Sequence, residues 1–529
     1  MKTLFYNGTI FTGKRIVNSF IVEDGYFREV GNESSDYDNS VDLNNKFVCA
    51  GFNDSHLHLL GYGNSLKNAQ LHKHTTSLEE LLNYGKEFLK DNPVNDNKWY
   101  KGRGWNQDYF SDVTRMPNRY DLDTISKDIP IIFTRACGHA CVVNSKALEI
   151  CNITKDTKDI LGGEIGRDDT GEPNGLFFDN SIDIIQNNIP LPTKEEIKEM
   201  ILLACKSLNS FGITSAQSDD YCVFREIPFE VINEAYKELK EENKLTVRVY
   251  EQSNFTDLYE LKRFITSGNK TGVGDKYFKI GPLKMLGDGS LGSRTACLSK
   301  PYNDDQSTKG FNLFTDEHMN SMISYANKMD MQVAVHAIGD ACLDQVLNAI
   351  ELALNEHSRS DHRHGIVHCQ ISRSDQLEKM AELNLHGYAQ SIFLDYDNHI
   401  VEDRVGEDLA STSYNWKTLM NLGVHISNGS DAPVEVPYAL KGIECAVTRC
   451  SIDGTGPYLI DQAFTVKEAL LSFTYEGAYS SFEEKEKGLI EDGYIADFII
   501  LSDNPFEVKE NEIHNIKVLK TYLDGKQVY

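Results

Sequence analysis

At both ends of the chain, apolar and polar positions alternate with a period of two. Residues 3–31 do so around Asn7-Gly8 and Asp24-Gly25, dipeptides that close hairpins. Residues 493–529 repeat the pattern, with apolar runs at 495–501 and 516–523 and a turn at Asp524-Gly525. Neither end can bury a core alone. The two are therefore expected to join as one small β-sandwich, 1–48 with 485–529, and the long middle becomes an insertion between them.

In that middle the pattern changes. Short apolar runs alternate with amphipathic stretches such as 194–211 and 341–356, the signature of β/α units on a parallel sheet. Strand candidates fall at 47–53, 211–217, 245–250, 277–285, 331–336, 364–369, 386–392 and 423–428. Eight is the number that a closed barrel needs, so the fold class predicted for 49–484 is α/β, a (β/α)8 TIM barrel. The gap between the first two strands is far too long for a structureless loop. It holds strand-like runs at 129–135 and 141–144 and a glycine-rich stretch, LGGEIGRDDTGEPNG. An inserted α+β subdomain over 66–190, above the barrel mouth, is the expectation.

Composition refines this picture without changing it. The 529 residues are 40% hydrophobic and 25% charged, enough for a large core. The net charge of -27 is spread along the chain and would repel polynucleotide phosphates, which leaves a small-molecule substrate as the expected partner. The start, MKTLFYNGTIFTG, lacks the features of a signal peptide, and no run approaches the ~20 apolar residues of a membrane span. Cytoplasmic residence with no membrane partner is expected; homo-oligomerisation stays open. The 11 scattered cysteines fit reduced thiols better than a disulfide framework.

The chemistry concentrates at strand ends. AGFNDSHLHLLG ends an apolar run in His56-Leu57-His58, and residues two apart on a strand face the same side, so both imidazoles can meet one metal ion. The same spacing recurs at His72/His74 and His362/His364, so the pattern alone is weak; position favours the first pair. His336 ends MQVAVH and His368 ends HGIVH, each where a barrel exposes its site residues. Asp431 follows the eighth strand in VHISNGSDAP, where a carboxylate can bind metal or carry a proton. On the fourth strand Lys284 and Asp288 compete as ligands, and simple chemistry favours the carboxylate. Cys137, His139 and Cys141 alternate in RACGHAC, but no fourth ligand stands at suitable spacing, so a structural zinc site is not expected there.

These segments, with GRGWNQDYF, GGEIGRDDTGEPNGL, LKMLGDGSLGSRTACLSKPYND and SNGSDAPVEVPYALKGIECAVTR, span nearly the whole chain. Together they resemble the amidohydrolase superfamily, and within it the third amidohydrolase family of N-substituted formamide deformylase-like hydrolases. The resemblance implies one or two divalent ions, zinc first. His56 and His58 would hold the first with Asp431, and His336 and His368 the second. Lys284 would be carboxylated, bridging both. His139, Trp105 and Arg294 would face substrate, with bracing of its own loop as the alternative for Arg294. The sequence departs from the pattern at Ala50 and at Ser391, where proline is usual in both cases; the second departure bears on the substrate pocket. The implied activity is hydrolysis of a carbon–nitrogen bond, an N-formyl or N-acyl amide, by metal-bound hydroxide with Asp431 moving the proton. A deaminase or cyclic-amide hydrolase on the same scaffold, or a non-catalytic regulatory protein, is the alternative. The full ligand set favours an enzyme.

Overall fold

The computed structural model describes residues 1–32, 36–94, 98–136 and 139–529. The chain divides into two compact units, Met1–Tyr62 with Ile201–Tyr529, and Gly63–Met200.

The first unit is built on eight parallel strands: β1 (Phe52–Leu57), β2 (Ile213–Ser218), β3 (Arg248–Asn254), β4 (Phe278–Leu286), β5 (Val333–Ala337), β6 (Gly365–His368), β7 (His386–Ala389) and β8 (His425–Asn428). They hydrogen-bond in sequence order from β1 to β8. Helices such as Asp340–Glu356, which buries Leu343, Val346, Leu347 and Ile350, cover them. Between β8 and β1 the ladder is replaced by side chain and loop. The Asp54 carboxylate accepts from the Ser430 amide at 3.0 Å and from the Ser430 hydroxyl at 2.5 Å, and the Asp431 amide donates to the His56 carbonyl at 2.8 Å. Gly429 permits this approach: a Cβ there would lie 2.6 Å from both Asp54 Oδ1 and the His56 amide nitrogen.

The strand predicted over 47–53 is two strands. Phe47–Ala50 pairs antiparallel with Phe498–Leu501 in the sheet of the chain ends, and β1 starts only at Phe52. Gly51 is the break. Its amide donates to Asp497, and a Cβ on it would sit 2.3 Å from Thr214 Oγ1, so the two sheets meet at a residue without a side chain. The third strand starts at Arg248, not at 245. Leu245 and Val247 are buried core residues ahead of it, which is why the apolar run read as strand.

Both chain ends supply one eight-stranded sheet. Its order is Lys526–Gln527, Val518–Leu523, Phe498–Leu501, Phe47–Ala50, Lys2–Phe11, Ile16–Glu23 and Tyr26–Arg28, with Asn39–Asp42 also pairing with Lys2–Phe11. A bridge between Tyr26 and Ile495 brings its far edge back on itself around Phe5, Phe20, Phe27, Phe498 and Tyr522. Arg248 of β3 ties barrel to sheet: buried, it donates to Asp497 at 2.6 and 2.9 Å and to Asp524 at 2.7 Å. These carboxylates outweigh its burial and keep the guanidinium charged.

The second unit has a six-stranded sheet ordered Gly163–Arg167, Pro173–Asp179, Ala140–Val143, Ile131–Arg135, Tyr100–Trp105 and Ala69–Gln70. Its first three junctions are antiparallel and its last two parallel. Among the described residues, no helix is long and apolar enough to cross a membrane.

Candidate metal centre

The C-terminal ends of the barrel strands bring the histidines together. The ligand atoms of His56, His58 and Asp431 lie within 4.8 Å of one another. Asp431 Oδ1 stands 3.3 Å from His56 Nε2 and 3.2 Å from His58 Nε2, yet it is buried with no aligned hydrogen-bond donor. The His368 ring lies 5.5 Å from that of His56 and 4.5 Å from that of His336, centre to centre. Lys284 of β4 is buried, with Nζ 3.8 Å from Asp219 Oδ2. Its charge reaches both His56 and His368.

The surroundings decide which ring nitrogen faces inward. His58 Nδ1 lies 2.9 Å from the Asp219 carbonyl and His336 Nε2 lies 3.0 Å from the Gly289 carbonyl. A carbonyl only accepts, so those nitrogens carry the hydrogen and the opposite ones keep a lone pair. His56 Nδ1 faces Gln252 Oε1 at 2.6 Å, and His368 Nδ1 faces Gln390 Oε1 at 2.7 Å. Each amide is fixed in that orientation because its nitrogen donates to a backbone carbonyl, of Ser55 and of Tyr388. Lone pairs are thus left on Nε2 of His56, His58 and His368, and on Nδ1 of His336.

Burial holds His56 neutral, far below the ordinary imidazole range, and pushes His368 down to about 3, with His336 beside it adding to the effect. Burial would also lower His58, but Asp431 and Cys222 next to it hold it well above that range. Asp431 is held low against its own burial by the His58, His56 and His368 rings. A proton between His58 and Asp431 and a cation are therefore competing occupants of the same corner. The neutral His56 ring, the Asp431 carboxylate with its buried Oδ1, and His58 once that proton leaves suit a divalent ion.

The backbone is strained where it aims these groups. His368 (φ 75°), Cys369 (φ 47°) and Asp431 (φ 57°) are left-handed without being glycine, at about 1–3 kcal/mol each.

Asp288 is buried and accepts from the backbone amides of Cys297, Ile338 and Gly339 at 2.8–3.0 Å. It pins the loop after β4 to the loop after β5, with His336 Nε2 3.3 Å from its Oδ1. The three substrate-facing expectations fare differently. Trp105 is fully buried in the core of the second unit, and its indole N–H donates to the Phe133 carbonyl, so no surface remains to meet substrate. His139, in the same unit, is exposed and pairs with Asp179 at 3.0 Å. Arg294 grips Asp304 with two nitrogens, at 3.1 and 2.8 Å, and shares it with Arg404. Of the RACGHAC alternation, Cys137 lies outside the described residues, and Cys141 is buried in the sheet.

Sequence reasoning missed Gln252, Gln390, Asp219 and Asp54. Asp54 and Gln390 follow mostly apolar runs, the position that had singled out the histidines, whereas Gln252 and Asp219 lie at the ends of strands that are largely polar in sequence. Asp219 is the most conspicuous: it is fully buried, accepts from Asn254 at 2.9 Å, faces Lys284 and leaves Oδ1 without a donor.

The sequence pattern of the amidohydrolase family matches residues 39–529. The chain is 34% identical to the YtcJ amidohydrolase of Bacillus subtilis (strain 168), over 100% of this chain and 99% of that one. It is 24% identical to the N-substituted formamide deformylase of Arthrobacter pascens, over 92% and 89%. Among solved structures, a metal-dependent hydrolase from Pyrococcus horikoshii OT3 superposes with a TM-score of 0.79 at 29% identity, covering 96% of this chain and 99% of the other. From matched pattern, relatives and fold together, the chain belongs to the amidohydrolase family.

Proposed function

We propose that the chain hydrolyses the carbon–nitrogen bond of a small amide, of the N-formyl or N-acyl class, at a centre of one or two zinc ions. The observation that carries this reading is the corner of His56, His58 and Asp431, whose hydrogen-bond partners leave the lone pairs facing one another. The name of the Arthrobacter relative supports the substrate class.

His56, His58 and Asp431 would hold the first ion, and His336 and His368 the second. Among the described residues no third histidine, cysteine or carboxylate completes that second pair at comparable spacing. Buried Lys284 would do so after carboxylation of Nζ, which turns its cation into an oxygen ligand. A divalent ion in such a site polarises a carbonyl oxygen and brings a water proton into reach near neutral pH. Asp431, ionised in its nest of imidazoles, accepts that proton and hands it to the departing nitrogen as the carbon–nitrogen bond breaks. Water supplies the oxygen of the new carboxylic acid, the amine leaves with the proton, and the acid then ionises into solvent.

Two measurements test this. Protein made with zinc or manganese supplied should carry one to two equivalents of divalent ion. Asp431→Asn should fold like the parent and lose roughly 10²–10⁴-fold in kcat on a panel of N-formyl and N-acyl amines, with cyclic amides and esters alongside. Metal analysis showing none, or near-parental turnover in that variant, would sink the reading.

A further inference from the structure

The left-handed turn at His368-Cys369 has no glycine to ease it, so something else must hold it. Trp416, in the helix Trp416–Asn421 before β8, is the residue placed to do so. Its indole is 1% exposed, and its single N–H donates to two carbonyls, His368 and Cys369, at 3.1 Å each. These belong to the two residues in the strained conformation. The contact is reinforced on both sides. Tyr414 packs edge-on against the indole at 5.5 Å, and its own amide donates to the Gln370 carbonyl at 2.6 Å. Gln370 in turn donates to Asp397, which also accepts from the Tyr414 hydroxyl at 2.8 Å.

Arg449 stands over the indole, its guanidinium carbon 5.9 Å from the ring centre. The contrast with Arg248 is informative. Arg248 is buried against two carboxylates, whereas Arg449 is 1% exposed with Nη2 unpartnered and no carboxylate among its neighbouring charges. Its compensation comes from the aromatic faces of Trp416 and Tyr458 and from the Tyr458 carbonyl. A cation over an indole draws electron density from the ring and makes its N–H a stronger donor.

We infer that Trp416, backed by Arg449, is a positioning residue that holds the strained His368-Cys369 turn and so aims the His368 ring at the metal centre. The inference rests on the proposal that His368 is a ligand. It assigns a role to an indole N–H that does not itself touch ion or substrate.

The test removes the N–H and keeps the ring. Trp416→Phe, and a protein carrying the benzothienyl isostere of tryptophan at position 416, would be titrated with cobalt(II) and zinc beside the parent, His368→Ala and Trp105→Phe. The isostere should bind the weaker of two ions, or the single ion if only one binds, roughly 10–100-fold less tightly. Its cobalt absorption bands should also shift. Trp105→Phe removes an equally buried indole N–H from the second unit and should lower thermal stability with parental metal affinity. If His368→Ala loses the ion while the isostere binds like the parent, the clamp is overturned and the metal centre stands. If His368→Ala itself binds like the parent, the ligand assignment falls and the clamp falls with it. Should Trp416→Phe fail to fold, the isostere carries the decision.

Discussion

Two His-x-His pairs sit at opposite ends of the same barrel, and chemically they are opposites. At the base, His364 accepts the Val333 amide on Nδ1 at 3.1 Å and meets Asn327 Oδ1 with Nε2 at 3.0 Å, while His362 accepts the His364 amide at 3.0 Å. Protein atoms use up both nitrogens of His364, so it works as a fitted core side chain that ties β5 to β6. At the mouth, His56 and His58 each have one nitrogen engaged by an acceptor and the other left facing Asp431. Spacing is shared, and His56 is as buried as His364; the difference lies in what the second nitrogen meets. A buried imidazole is left free to act as a ligand where the protein satisfies only half of it.

The widest separation between the two ends should come from removing one ring at each. His56→Ala is expected to lose the first ion and on the order of 10³-fold in kcat/KM, the loss of several kcal/mol of charge stabilisation. His364→Ala is expected to cost about 2–4 kcal/mol of stability with the metal content per folded molecule unchanged. Metal analysis and denaturant titration of both variants would break the comparison if the outcomes were exchanged.

A smaller effect distinguishes Lys284 from Asp288. Lys284→Ala should lose the second ion and most activity, and short carboxylic acids added with metal should restore part of both. Asp288 spends its oxygens on three backbone amides, so Asp288→Ala should keep the first ion and disturb the second less than Lys284→Ala does. Metal stoichiometry decides, with intact mass reporting carboxylation of Lys284. An emptied site in Asp288→Ala beside a full one in Lys284→Ala would reverse the assignment.

The smallest effect is a slope. Burial, with His362 and then Arg359 adding to it, holds His364 well below the ordinary imidazole pKa. Unfolded, it titrates near 6.5, so below about pH 6.5 the unfolded chain binds a proton that the folded chain does not. Stability from this group is therefore present above that pH and lost as pH falls. The loss approaches at most about 1.4 kcal/mol per pH unit for one such proton. In metal-free protein, stability measured between pH 7 and 5 should fall less steeply for His364→Gln than for the parent. Equal slopes would mean that His364 is not a neutral, buried ring.

Strand count and barrel order were legible because most of the parallel strands, buried on both faces, hold short apolar runs, although β2 and β3 are largely polar in sequence. The break at Gly51 was not. A glycine between Ala50 and Phe52 interrupts no hydrophobic pattern, and its reason lies 163 residues away at Thr214. The histidines were legible because imidazole at the end of an apolar run is conspicuous. Gln252 and Gln390 act by orienting an amide, and a polar residue at a strand end looks like the start of a loop. Trp105 and Trp416 show the same limit from both sides: one drew attention as an aromatic near a motif and is core, and the other works through an N–H that only the fold brings to its two carbonyls.

The seam between the first and last barrel strands has a consequence for how the protein is made. Asp54 meets Ser430 across 376 positions of chain, and the strand at 47–50, paired on one edge with Lys2–Phe11, finds its second partner only at 498–501. During synthesis, His56 and His58 emerge more than 370 residues ahead of Asp431 and must wait for it. Until residue 431 has left the ribosome, the corner lacks its carboxylate, and until 501 has left, one edge of the strand at 47–50 is unpaired. Contacts of such sequence separation form slowly and leave an edge exposed meanwhile. On the proposed ligand set, an ion can therefore be fully held only once Asp431 has joined the histidines made long before it.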